Sequence, residues 1–317
     1  MDMRVALGPL LLKNPIMTSS GTFGYGLEFA PYGDLRSLGG IIVKGLSLKP
    51  REGNPMPRIA ETPSGMLNAI GLQNCGVERF LNEMLPELPW QETPVIANLY
   101  ACDPDEFAEL AGVLASSEGV AALELNISCP NVKAGGALFG QDPHQAAKVT
   151  SAVKKRAGNK PVMVKLSPNV ADITTIARAV EDAGADILSL INTLTGMAVD
   201  VRTRKPRLAN IIGGLSGPAI KPVGLRCVWQ VAQAVRIPTV GIGGIASALD
   251  VLEYILVGAA AVQIGTANFI RPDRAFQIAQ DLPALCSEMR IDDLQAFRGS
   301  LVAGEPGGAA PAPRWGE

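Results

Sequence analysis

Apolar and polar positions in this chain fall into short alternating blocks. Eight runs rich in Ile, Val, Leu and Ala recur along it: 15–20 (PIMTSS), 40–45 (GIIVKG), 94–100 (PVIANLY), 121–128 (AALELNIS), 161–167 (PVMVKLS), 185–192 (ADILSLIN), 238–244 (PTVGIGG) and 260–266 (AAVQIGT). Most are nearly continuous apolar runs, the pattern of parallel strands buried on both faces. Stretches of helical character lie between them. Residues 103–116 open with Asp103 as a cap and Pro104 in the first turn, and 169–184 open on Asn169 and close on Gly184. Eight strands alternating with helices predict an α/β chain folded as a (β/α)8 TIM barrel. An open doubly wound sheet is the competing arrangement. Polar residues suited to function at nearly every strand end favour the barrel.

Three segments depart from the simple repeat. RVALGPLLLKNP, residues 4–15, reads as an N-terminal hairpin turning at Gly8-Pro9 and plugging the bottom of the barrel. Residues 46–75 and 193–216 are long connections, the first rich in Pro, Gly and Asn, the second carrying Arg202, Arg204, Lys205 and Arg207. Insertions this long in a compact domain are usually functional, here over the C-terminal face. The expected organisation is one barrel domain over 1–300, followed by a disordered Pro/Ala/Gly tail over 301–317.

Composition narrows the function. The chain has 317 residues, 47% of them hydrophobic, and a net charge of −2 with no long basic face, so a nucleic-acid partner is not expected. No apolar run reaches the roughly 18 residues of a membrane span, and no secretory signal is evident at the N-terminus. These features predict a soluble, cytoplasmic protein. Five cysteines stand at 75, 102, 129, 227 and 286, an odd number without a C-x-x-C pair. Neither a disulfide framework nor a metal or iron–sulfur site is expected. Cys227 and Cys286 fall in helical patterns and read as buried hydrophobes; Cys75 and Cys102 are ambiguous.

The chemistry gathers at the C-terminal ends of the strands, where barrel active sites lie. In order these ends carry Ser19-Ser20-Gly21, Lys44-Gly45, Asn98, Asn126, Lys165 with Ser167, Asn192-Thr193, Gly243-Gly244 and Gly265-Thr266. Lysines inside otherwise apolar runs are costly unless their charge meets a partner. The glycines closing the last two strands let backbone N–H groups approach an anion, at the usual phosphate position of this fold. GIGGIA, 241–246, matches a dinucleotide fingerprint, but the following strand, AVQIGT, lacks the acidic residue that the fingerprint requires. A mononucleotide phosphate is the better reading. With two lysines and several amides at the centre, the ligand that fits is flavin mononucleotide, FMN. A flavin that accepts hydride requires a base for the accompanying proton. His144, the single histidine, sits in the first turn of a helix in a solvated context, and Glu124 lies inside its strand. Cys129, in LNISCPN, is the best-placed ionisable group.

These segments resemble the dihydroorotate dehydrogenases of class 1. The matching stretches run in order from about residue 14 to 270 and include NPIMTSSGTFGYG, IIVKGLSLKPREGNPMPRIAETPSGMLNAIGLQN, LELNISCPNV, VMVKLSPN, INTLTGM, GGLSGPAIKPV, VGIGGI and VQIGTANF. The resemblance implies FMN bound by Ser20, Lys44, Gly45, Asn98, Asn126, Lys165, Ile191, Gly217, Gly243, Gly244, Gly265 and Thr266. It implies a substrate pocket of Lys44, Asn68, Ala69, Ile70, Gly71, Leu72, Asn126, Asn192 and Thr193. Cys129 would take the proton from C5 of (S)-dihydroorotate while hydride leaves C6 for the flavin N5, giving orotate for UMP synthesis, and 130–140 would cover the site. The stretch NVKAGGALFGQDP is most similar to class 1B. That class pairs its catalytic chain with an electron-transfer subunit carrying FAD and an iron–sulfur cluster and passes electrons to NAD. A homodimer of catalytic chains is expected as well. Class 1A, which reduces fumarate, is the nearest alternative. A related pyrimidine-reducing flavoprotein and a non-catalytic barrel binding a phosphorylated ligand also remain open.

Overall fold

The computed structural model of the chain describes residues 2–127 and 139–302. All eight apolar runs form strands: β1 (Ile16–Thr18), β2 (Ile41–Ile42), β3 (Val95–Leu99), β4 (Val120–Asn126), β5 (Val162–Leu166), β6 (Ile187–Leu190), β7 (Thr239–Ile242) and β8 (Ala261–Ile264). They make one parallel sheet in the order β1-β8-β7-β6-β5-β4-β3-β2. A parallel bridge between Met17 and Gly40, with the Thr18 N–H donating to the Gly40 carbonyl at 3.2 Å, joins the first strand to the second and closes the ring. The fold is the (β/α)8 barrel.

Helices α1 (Pro104–Ala115), α2 (Pro143–Arg156), α3 (Ile173–Asp182), α4 (Lys221–Ala234), α5 (Ala248–Leu256), α6 (Ala267–Ile270) and α7 (Arg274–Glu288) follow the later strands. The first two crossovers differ from the simple repeat. After β1 come only 3-10 turns at Leu27–Tyr32 and Leu35–Ser37, and after β2 a short mixed helical stretch beginning at Val77–Arg79. Helix α1 begins as its sequence predicts, with the Asp103 carboxylate accepting from the N–H groups of Asp105 and Glu106. Helix α3 begins three residues later than expected. Its cap is Asp172, which accepts from the Thr174 N–H at 2.9 Å. Asn169 instead ties two loops at the C-terminal end of the strands together: its amide donates to the Thr193 carbonyl at 2.9 Å and its oxygen accepts from the Thr195 N–H at 2.9 Å.

The barrel interior is layered. Met17, Ile42, Ile96, Ala122, Met163, Ile187, Val240 and Ala261 form a buried apolar cluster with Val5, Leu7 and Leu12 of the N-terminal hairpin. The hairpin pairs Val5–Leu7 with Leu10–Leu12 and turns at Gly8, which lies against Asp186 and Ile187 at the start of β6. It therefore plugs the N-terminal end of the barrel. Farther along the strands the filling turns polar: Asn98, Glu124, Lys165, Ser189 and Gln263 are all buried.

The two long connections form more than loops. Segments Leu194–Met197, Ile212–Ser216, Gly65–Asn68 and Ile59–Thr62 pair, in that order, as a four-stranded antiparallel sheet. This sheet carries Asn68 and leads directly from Thr193. Among the described residues no helix is long and apolar enough to cross a membrane.

Candidate active site

A cavity of about 450 Å³ opens at the C-terminal end of the strands, beside the four-stranded sheet. It is lined by Ser20, Lys44, Gly45, Asn68, Ile70, Gly71, Leu72, Asn126, Lys165, Ile191, Asn192, Thr193, Gly217, Gly243, Gly244, Gly265 and Thr266. Residues from nine separated segments thus meet in one place. Two of the expected residues do not reach the wall. Asn98 lies fully buried beneath it, and Ala69 packs with Ala60, Leu67 and Leu208 inside the insertion sheet. Cys129, and most of the segment 130–140 expected to cover the site, lie outside the described residues.

The strand registers explain the centre of the site. Asn126 and Lys165 are direct partners across β4 and β5, and Ser189 is the partner of Lys165 on β6. Period-two alternation then sends these side chains to the same, inner face. Asn192 donates to the Asn126 side-chain oxygen at 3.3 Å, and its own oxygen accepts from the Thr193 N–H at 2.8 Å. Lys165 is buried, 5% exposed, whereas Lys44 is half-buried. Burial, then the nearby Arg58 guanidinium, holds the Lys44 ammonium below its usual range, with Glu28 opposing.

At the other end, the loops after β7 and β8 meet Gly217. Gly217 and Gly244 have φ of 97° and 70°, where side chains are strained. A Cβ on Gly244 would stand 2.9 Å from the Gly217 carbonyl oxygen, and one on Gly217 only 2.8 Å from the Gly65 Cα. Thr266 donates its hydroxyl to Ser216 at 2.8 Å. Among the described residues, the N–H groups of Gly244, Gly265 and Thr266 make no backbone hydrogen bond. Such a cradle suits a phosphate. Gly241 and Gly243 of GIGGIA also pack against Tyr254: a Cβ on Gly241 would stand 2.3 Å from the Tyr254 ring, and the Tyr254 hydroxyl donates to the Gly243 carbonyl at 2.7 Å.

Several lining residues escaped the sequence reading. Arg58 donates to the Gln73 side-chain oxygen at 2.8 Å and lines the cavity with Phe29, Phe269 and Ile270. Only the pairing of the two insertions with each other over the barrel rim brings Arg58 here, and no strand pattern announced it. His144 is exposed on α2. Cys227 and Cys286 are buried in helices, and burial pushes both thiols up, as inert core cysteines require. Among the described residues no cluster of His, Cys, Asp and Glu could hold a metal ion.

A glycine cradle at β7 and β8, a largely apolar cavity and buried lysine and amide groups at its inner end together make the active site of a flavin-dependent barrel enzyme. The chain belongs to the dihydroorotate dehydrogenase family, whose model matches residues 3–286. It is similar to the dihydroorotate dehydrogenase B (NAD(+)) catalytic subunit of Solidesulfovibrio magneticus, 74% identical over 96% of this chain and 99% of that protein. The protein of the same name from Maridesulfovibrio salexigens is 67% identical over 95% and 99%, and that from Pelobacter propionicus 60% identical over 92% and 97%. The residues present fit a flavin: besides the cradle and the lysines, Asn98 holds a buried side-chain oxygen with no partner among the described residues, on the side of Gly45.

Proposed function

We propose that this chain oxidises (S)-dihydroorotate to orotate for pyrimidine synthesis, as the catalytic chain of an NAD-linked, class 1B enzyme with FMN as its cofactor. The observation that carries the reading is the joining of a glycine phosphate cradle to a pocket built around Lys44, Lys165 and the amides Asn68, Asn126 and Asn192. The relatives that share most of its length support the NAD-linked form, because each is named a catalytic subunit.

In this reading Gly217, Gly243, Gly244, Gly265 and Thr266 hold the phosphate, while Ser20, Lys44, Gly45, Asn98, Asn126, Lys165 and Ile191 surround the ring. A bound FMN supplies the hydride acceptor. Lys165 sets a positive charge where negative charge develops on reduction. Asn68, Asn126, Asn192 and Thr193 orient the planar, amide-rich substrate, with Ala69 to Leu72 shaping the wall and Lys44 reaching both ligands. Cys129 accepts the C5 proton as the C6 hydride departs, so one double bond forms and two electrons leave the substrate. Residues 1–300 act as one domain, two catalytic chains pair, and a second subunit bearing FAD and an iron–sulfur cluster passes the electrons on.

Anaerobic mixing of the flavin-loaded chain with dihydroorotate tests the reading. The oxidised flavin absorbance should bleach with dihydroorotate and persist with dihydrouracil. Bleaching by dihydrouracil alone would make the protein a different pyrimidine flavoenzyme.

A further inference from the structure

Beneath the cavity lies a buried carboxylate that the proposed mechanism does not use. Glu124 is fully buried at the centre of the barrel. Three side chains from three other strands converge on it. Asn98 of β3 donates its amide to Oε2 at 2.6 Å, and Ser189 of β6 and Gln263 of β8 donate to Oε1 at 2.8 and 2.7 Å. An acidic side chain placed there costs free energy unless so satisfied. An apolar residue would fill the layer more cheaply, so its presence asks for a reason.

The reason lies in what it does to Asn98. The two ends of a carboxamide have the same shape, and the hydrogen-bond network decides which way it points. A carboxylate accepts and does not donate. Asn98 must therefore turn its nitrogen to Glu124 and its oxygen away. That oxygen is buried and has no partner among the described residues. It lies beside Gly45, a residue of the cavity wall, at 3.0 Å from the place a Cβ would occupy. An unpaired buried acceptor is rare in a folded protein and calls for an explanation.

We propose that Glu124 is a positioning residue, which locks the Asn98 carboxamide so that it turns an acceptor, and never a donor, past Gly45 towards the ring bound above it. The partner is an imide N–H. An oxidised flavin has one ring N–H, at N3 between two carbonyls, so the device selects that edge. This deepens the reading of the cavity as an FMN site and rests on it.

The test measures binding to the apoprotein, by flavin fluorescence quenching, of FMN and of 3-methyl-FMN, in which a methyl replaces the N3 hydrogen. The wild-type chain should prefer FMN by roughly 5- to 150-fold, the range for leaving one buried acceptor unpaired. Glu124→Gln keeps the shape but lets the amide turn, so the preference should fall towards unity. Asn98→Ala, which deletes the acceptor, should do the same and serves if Glu124→Gln fails to fold. Equal wild-type affinity for the two flavins would overturn the proposal while leaving the FMN reading intact. A full preference retained in Glu124→Gln would assign the selection elsewhere. Binding of neither flavin by the wild-type chain would overturn the FMN reading and this inference with it.

Discussion

Lys44 and Lys165 are both set at the end of apolar strands, yet their surroundings differ. Lys165 is nearly enclosed between Asn126 and Ser189 on its neighbouring strands, and in the proposed reading its charge faces the flavin where reduction makes it anionic. Lys165→Ala should slow flavin reduction by about 10²–10³, some 2.7–4 kcal/mol, as loss of one such donor does elsewhere. Stopped-flow bleaching measures it, and an unchanged rate would leave Lys165 a structural role only. Lys44 is held below its ordinary pKa of 10.5 by burial and by Arg58. The folded state therefore disfavours its proton, and the apoprotein is less stable for it at neutral pH. Lys44→Met should stabilise the apoprotein at pH 7 by about 0.5–2 kcal/mol while weakening substrate binding. The gain should be constant below the depressed folded pKa and shrink as pH rises from there towards 10.5. Urea unfolding at several pH values shows whether it does. At Cys129, replacement by Ala should keep the flavin and almost abolish dihydroorotate oxidation, and replacement by Ser should leave a little activity that grows at high pH. A wild-type rate in Cys129→Ala would send the search for the base elsewhere.

At the scale of elements, the barrel strands were legible because burial on both faces writes itself as an unbroken apolar run. PVMVKLS and AAVQIGT could hardly be anything else. The insertion sheet was not legible. Its strands, GMLN and IGGLS, are short, Gly-rich and half exposed, and pair only because two segments nearly 150 residues apart meet over the rim. The site residues followed the same division. Those at strand ends could be found from the strand, whereas Arg58 depended on long-range pairing. The depth of Asn98 depended on the layering inside the barrel, which strand position alone does not convey. The cap of α3 was misplaced because Asn169 and Asp172 both suit a helix start, and the loop contacts of Asn169 decided between them. The insertion sheet also carries a prediction. A Cβ on Gly214 would stand 2.1 Å from the Thr193 hydroxyl oxygen, and Gly214 is the register partner of Asn68. Gly214→Ala should push Thr193 and Asn68 apart, costing about 1–3 kcal/mol of stability. It should raise the KM for dihydroorotate more than it weakens FMN, since Gly214 lies inside the strand against Thr193 and Asn68 whereas the cradle begins beyond the strand's end, at Gly217. Equal loss of both affinities would show that the sheet supports the whole cavity rather than its substrate half.

At the scale of the whole molecule, the question is where the electrons go. In the dinucleotide-like GIGGIA, Gly241 packs β7 against Tyr254 and Gly244 belongs to the cradle beside Gly217. In the proposed reading the flavin ring lies against Lys165 and Asn126 at the inner end of the cavity, which would leave NAD little access to it while substrate occupies the approach. The isolated chain should therefore reduce NAD slowly with dihydroorotate as donor, while turning over readily with small artificial acceptors. Addition of the electron-transfer subunit from a closely similar organism should restore NAD reduction without altering the rate at which dihydroorotate bleaches the flavin, because the first half-reaction belongs to this chain alone. Steady-state NADH formation, with fumarate run in parallel, decides the matter. Rapid fumarate reduction with no gain from a partner would place the chain with the fumarate-linked enzymes. Rapid NAD reduction by the chain alone would mean that a dinucleotide does reach the barrel mouth, and that GIGGIA serves more than packing and a mononucleotide phosphate.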